Sequence, residues 1–127
     1  MSDLIEVVQA IYSAFNAGKN DRAFAHMTDD VRWRIPRLGA DVQGKAQCYE
    51  FWDRICEEYT ITEDLVQSAV RGNFVVAFVD LTTLVKSTGV RTTAPGCQLF
   101  RFEGKLLADY YSVTDPGAVR PWAGRSP

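Results

Sequence analysis

The sequence predicts an α+β domain with helices on one side of an antiparallel sheet. Three observations carry this reading. Apolar residues recur at helical spacing in the first half of the chain. The second half reads as strand throughout. Tight-turn signals at Gly72-Asn73, Thr88-Gly89 and Glu103-Gly104 fold those strands into a meander.

The elements follow in order. A first helix over Asp3 to Ala17 presents Leu4, Val7, Val8, Ile11, Tyr12 and Phe15 as one stripe. Asp3 and Glu6 stand at capping-box spacing, and Gly18 is placed to end the helix. Asn20 is read as the cap of a short second helix running through Met27. After a turn at Thr28-Asp29-Asp30, Val31-Arg32-Trp33-Arg34-Ile35 alternates as a short strand, which Pro36 stops. Its arginines should point away from the face of Val31, Trp33 and Ile35. A third helix follows Gly44, with Cys48, Phe51, Trp52, Ile55, Cys56 and Tyr59 on one side. Strands are then predicted over 64–71, 74–86, 91–102 and 105–113. The Pro- and Gly-rich segment 115–127 reads as an irregular tail of a single domain spanning 1–127.

Composition narrows the function classes. The chain has 127 residues, 46% hydrophobic, which is enough for one packed core. A net charge of -2 and the lack of a basic run argue against nucleic acid. No apolar stretch has membrane-spanning length, and the first residues lack the pattern of a secretion signal. The three cysteines, Cys48, Cys56 and Cys97, form no Cys-x-x-Cys pair. They read as reduced thiols of a cytoplasmic protein rather than as zinc ligands or disulfides. The single histidine, His26, cannot build a multi-histidine metal site.

Two acids stand out. Asp80 interrupts Phe74-Val-Val-Ala-Phe-Val-Asp80-Leu-Thr-Thr-Leu-Val85, and Asp109 interrupts Leu106-Leu-Ala-Asp109-Tyr-Tyr-Ser-Val113. A carboxylate in such a strand must be paired or hold its proton to a higher pH. With a two-residue loop at Glu103-Gly104, Gln98 falls opposite Asp109. With another at Thr88-Gly89, Asp80 falls opposite Cys97 and faces the other side. A bulge at Pro95-Gly96 would instead bring Asp80 opposite Gln98. That would make a polar row Asp80–Gln98–Asp109 on one face with Phe78, Phe100 and Tyr111. Strand Phe74–Val85 is also apolar on both sides, which requires cover for the second face. A second subunit supplies it most simply; the tail, with Val119 and Trp122, is the alternative.

The pattern of elements resembles the NTF2-like superfamily, with its SnoaL-like cyclases, ketosteroid isomerases and limonene epoxide hydrolases. The carrying residues are Val7 to Gly18, Thr28-Asp-Asp-Val-Arg-Trp33, Gly44-Lys-Ala with Phe51-Trp52, Phe100-Arg-Phe-Glu-Gly-Lys-Leu106, and the final Asp109-Tyr-Tyr. The resemblance implies a cone-shaped curved sheet on three N-terminal helices, a dimer, and a deep apolar pocket. It carries the active sites over only in part. The isomerases' aspartate before the strand-ending proline is Ile35 here. Their oxyanion acid falls near Cys97 or Gln98, and their tyrosine near Ile11 or Tyr12. The hydrolases' first aspartate matches Asp80, but their arginine two residues earlier is Phe78. The cyclases use acid chemistry in their last strands, and Asp109 is the best candidate for it here.

Asp109 and Asp80 are therefore the candidate acid and base; the alternative is that both are structural acids, bonded to Gln98, an arginine or backbone N–H groups. Gln98 and Tyr111 would orient a substrate oxygen. Trp33, Trp52, Phe78, Phe100, Tyr12 and Met27 would form the pocket wall, unless they are plain core. Three functions stay open: a cofactor-free enzyme of cyclase, isomerase or epoxide hydrolase type, a binding protein for an apolar ligand, and a dimeric scaffold.

Overall fold

Helix α1 spans Asp3–Asn16 in the computed structural model, which describes residues 3–113. Asp3 and Glu6 lie in its first turn, where the helix dipole favours negative charge. Val8, Ile11, Tyr12 and Ala14 are its buried face. Beyond its end Gly18 adopts φ 72°, and the Lys19 N–H reaches back to Ala14 O at 2.8 Å. This is a Schellman-type closure, and it requires a left-handed residue. Helix α2, Asn20–Phe24, stops short of Met27. Asn20 does not cap it. Its Oδ1 accepts the Trp52 Nε1–H at 3.2 Å instead.

Strand β1 runs Met27–Ile35 and buries Val31, Trp33 and Ile35, as the alternation predicts. A 3-10 turn at Pro36–Leu38 returns the chain into β2, Ala40–Gln43, a strand the sequence reading did not anticipate. Helix α3, Lys45–Glu58, gives way to β3, Tyr59–Arg71; Tyr59 is a strand residue, not the helix's last anchor. The meander continues through β4, Phe74–Val85, β5, Arg91–Glu103, and β6, Leu106–Val113.

The six strands form one curved sheet in the order β2-β1-β6-β5-β4-β3. The α+β architecture is as predicted, with one addition: β1 and β6 pair in parallel, so the sheet is mixed. Turn signals reveal only hairpin neighbours. The β1–β6 ladder joins strands far apart in the chain and has no local signature.

The helices cover one face of the sheet. Val75, Ala77, Val79, Phe100, Phe102 and Leu107 meet Val8, Ile11, Phe24 and Trp33 there. On the outer face Val76, Phe78 and Cys97 form a smaller buried cluster, with Leu99 and Val113 against it. The tail from 115 onward, with Val119 and Trp122, lies outside the described residues. Among those described, no helix is long and apolar enough to cross a membrane.

Register decides which side chains enter the core. β4 and β5 pair without a break, and Asp80 lies opposite Pro95 while Ala77 lies opposite Gln98. The bulge expected at Pro95-Gly96 is not there. Described β6 ends at Val113, opposite Cys97, so among the described residues Pro95 pairs only with β4 and breaks no second ladder. Bulges occur instead at Val66 in β3 and Ala108 in β6. The β5–β6 loop is Gly104-Lys105, one residue later than predicted. Loop and bulge together place Gln98 opposite Ser112 and Asp109 opposite Arg101.

Candidate functional site

Between the sheet and α1 and α3 lies a cavity with about 390 Å³ of empty space, its open side included. Ile11, Phe15, Met27, Trp33, Trp52 and Phe100 form much of its apolar wall. Four polar side chains enter it: Tyr12 from α1, Glu63 from β3, Gln98 from β5 and Tyr110 from β6. An apolar lining with a few convergent polar groups is the usual form of a small-molecule site.

The polar groups form a chain. The Tyr12 hydroxyl donates to Gln98 Oε1 at 2.5 Å. The Gln98 amide donates in turn to Glu63 Oε2. Gln98 is 4% exposed, the one polar residue buried this fully among those described. Desolvation of its carboxyl raises Glu63 to about 7, although the Gln98 bond and the Arg37 charge pull the other way. Burial also drives the hydroxyls of Tyr12 and Tyr110 well above the usual tyrosine range, and the charge of Glu63 adds to it. The cavity thus holds one carboxyl poised near neutrality and two tyrosines that remain protonated. No cluster of His, Cys, Asp and Glu suited to a metal occurs among the described residues.

A second chamber with about 370 Å³ of empty space, its open side included, adjoins the first and shares Ile35, Trp52, Glu63, Gln98 and Tyr110 with it. It reaches the 3-10 turn at Arg37 and Leu38. Glu63 and Gln98 therefore border both chambers, an inner one against α1 and an outer one at the turn.

Six of the residues predicted from sequence line the inner chamber: Tyr12, Met27, Trp33, Trp52, Gln98 and Phe100. Four do not. Asp109 turns to the outer face, where Arg34 binds it at 3.0 Å. Tyr111 lies on the same face beneath the Arg34 guanidinium, 5.1 Å from ring centre to carbon. Phe78 belongs to the outer-face cluster, and Asp80 is exposed on that face opposite Asp64 and Pro95. Asp80 and Asp109 share a face but not a site. Asp109 is level with Phe74 through Arg101, and Asp80 lies six residues further along β4, roughly 20 Å at strand spacing. The row Asp80–Gln98–Asp109 does not form, because Gln98 faces the helices and both acids face away. His26 is partly buried outside the cavity, where its carbonyl accepts the Leu107 N–H at 2.7 Å.

Glu63 escapes the sequence reading because the strand predicted over 64–71 begins five residues earlier, at Tyr59. Its signal was present: Ile61, Glu63 and Leu65 alternate on one face, an acid between two apolar residues.

A family model described as SnoaL-like domain matches residues 8–110. No curated protein matches the chain. Solved structures do. A presumptive polyketide cyclase of Xanthomonas campestris pv. campestris is 22% identical with TM-score 0.82, over 96% of this chain and 95% of that one. An NTF2-like protein of unknown function from Burkholderia pseudomallei K96243 is 18% identical, TM-score 0.82, over 98% and 100%. A Mycobacterium tuberculosis protein in complex with estradiol-17β-hemisuccinate is 15% identical, TM-score 0.79, over 92% and 97%. At these identities the likeness concerns the fold.

Proposed function

The chain belongs to the SnoaL-like domain family, and from that we propose that it is a cofactor-free acid/base enzyme acting on an apolar, oxygen-bearing substrate. The observation that carries this reading is Glu63, a carboxyl in an apolar cavity, raised to about 7. A base of that strength matches proton transfer at neutral pH. Glu63 as carboxylate takes a proton from a carbon next to the substrate oxygen. The electron pair moves onto that oxygen, where the Tyr12 hydroxyl, turning from Gln98 Oε1, can donate to the developing charge. Returning the proton at another carbon gives an isomerisation; attack by the new nucleophile on a second carbonyl gives a cyclisation. Tyr12, Met27, Trp33, Trp52, Gln98 and Phe100 are the proposed contacts for the substrate body. That the Mycobacterium relative holds a steroid ester supports an apolar ring system as ligand.

A test uses 2-tetralone in D₂O. Deuterium should enter next to the carbonyl faster than in buffer alone, and Glu63→Gln should abolish the gain. A second reading, a binding protein without chemistry, is favoured by the satisfied chain Tyr12–Gln98–Glu63, which leaves its groups already partnered. Shifts of the Trp33 and Trp52 indole signals on adding 2-tetralone, without exchange, would select it.

The protein is further proposed to be a cytoplasmic homodimer through the outer face of its sheet. Phe74 and Leu106 remain 40% and 42% exposed beside the outer-face cluster, and apolar surface of this kind is commonly covered by a partner. Cys48 and Cys56 are free thiols, in keeping with a reducing compartment. Light scattering should give twice the chain mass for the wild type and the single mass for Phe74→Asp combined with Leu106→Asp. A monomeric wild type would refute the dimer.

A further inference from the structure

The outer chamber carries a charge that proton transfer at Glu63 does not use. Arg37 lines it, together with Glu63, Tyr110, Ser112 and apolar groups such as Leu38 and Ile61. Its guanidinium makes no hydrogen bond or ion pair among the described residues, whereas Arg32, Arg34, Arg54 and Arg101 are all paired with acids. Its charge nevertheless reaches inward, lowering both Glu63 and Tyr110 against the pull of burial.

The backbone under Arg37 is fixed. Pro36 opens the 3-10 turn, Gly39 closes it at φ 65°, and the Gly39 N–H bonds Pro36 O at 2.9 Å. The flanking residues Ile35 and Ala40 are paired across the β1–β2 hairpin. A side chain on so short a loop has little backbone freedom to lose on binding.

We propose that Arg37 is the receptor for an anionic group on the substrate, so that the natural ligand is an amphipathic acid. Its apolar ring body fills the inner chamber, and its carboxylate or similar oxyanion stays in the outer one. A guanidinium offers five donors in a planar fork that fits a carboxylate with two parallel bonds. Arg37 lines only the outer chamber and Glu63 lines both, which orders the groups: anion outside, reacting carbon at Glu63, ring inside. The inference rests on the cavity being a ligand site, and the test separates the two.

Binding of 2-naphthoate and of its neutral counterpart 2-naphthamide is measured by titration while following the indole N–H signals of Trp33 and Trp52. The expected result is a preference of about tenfold for naphthoate, the scale of one charge-assisted hydrogen bond. Arg37→Gln should remove the preference and leave naphthamide affinity unchanged, and Arg37→Lys should keep part of it. Equal binding of both probes, or a preference that survives Arg37→Gln, overturns the anion receptor while the ligand cavity stands. Failure of both probes to shift either indole refutes the cavity as a ligand site, and the receptor with it.

Discussion

Gln98 donates to Glu63 across an intervening strand. Gln98 lies on β5 and Glu63 on β3, with β4 between them. Their partners on β4 are Ala77 and Leu81, so the contact also runs diagonally. Strands two apart are roughly 10 Å apart in a flat sheet. Long side chains on a concave face close that gap, and the bend of the sheet becomes part of the site.

Gln98→Leu should release both ends of this chain. Glu63 loses the bond that lowers it, so its carboxyl should titrate above 7, read by ¹³C NMR of labelled glutamate. Tyr12 loses its acceptor, and a buried group left unpaired costs about 1–3 kcal/mol. The urea midpoint should fall accordingly.

Stability should depend on pH through Glu63. The folded state holds this proton up to about 7, while an unfolded glutamate releases it near the ordinary carboxylate value. The folded state therefore binds the extra proton between these values, and stability falls as pH rises through that window. Below the unfolded pKa the contribution is fully present; above about 7 it is lost. The slope is at most about 1.4 kcal/mol per pH unit. The charged and titratable groups bearing on Glu63 are Tyr12, Tyr110 and Arg37, with Gln98 as its bonded neighbour. Denaturation at a series of pH values should show a shallower decline for Glu63→Gln than for the wild type.

The two acids most prominent in the sequence should be dispensable for the cavity. Asp80→Asn and Asp109→Asn each should leave 2-naphthamide binding unchanged, since both side chains face the other side of the sheet. Asp109 loses a partly exposed pair with Arg34, and such pairs contribute less than about 1 kcal/mol. A tenfold loss of binding in either variant would contradict the placement.

Gly18→Ala should destabilise the chain by about 1–2 kcal/mol through backbone strain alone. The position has φ 72°, and an added Cβ would meet nothing within 4 Å. Gly18→Asn should cost less, because asparagine tolerates the left-handed region better. Thermal denaturation would rank the three proteins.

Local patterns in the sequence were sufficient for α1 and the core of β1, where Val31, Trp33 and Ile35 alternate with paired arginines. They were sufficient for most of the cavity wall, because large aromatics on core faces have few other places to go. They failed for the acids. Face assignment on β4 and β6 required loop lengths and bulges, and an error of one residue inverts a strand. They failed for the β1–β6 ladder because neither strand carries a mark of its distant partner. The apolar run around Asp80 hid a further fact: Asp80 is itself exposed and the rest of β4 beyond it only half-buried, so an acid there needs no partner.

The bulge at Ala108 has a consequence for how this cavity can change over evolutionary time. Ala108 is absorbed by the bulge, so Asp109 falls opposite Arg101 and Tyr110 opposite Phe100. Were the same residues paired without the bulge, β6 would be turned over from Asp109 onward. Tyr110 would leave the chamber, and Asp109 and Tyr111 would enter it. One irregular step in the ladder thus separates an aromatic wall from one bearing a carboxylate. On this scaffold, a new chemistry can arrive by a change of register as readily as by a change of side chain.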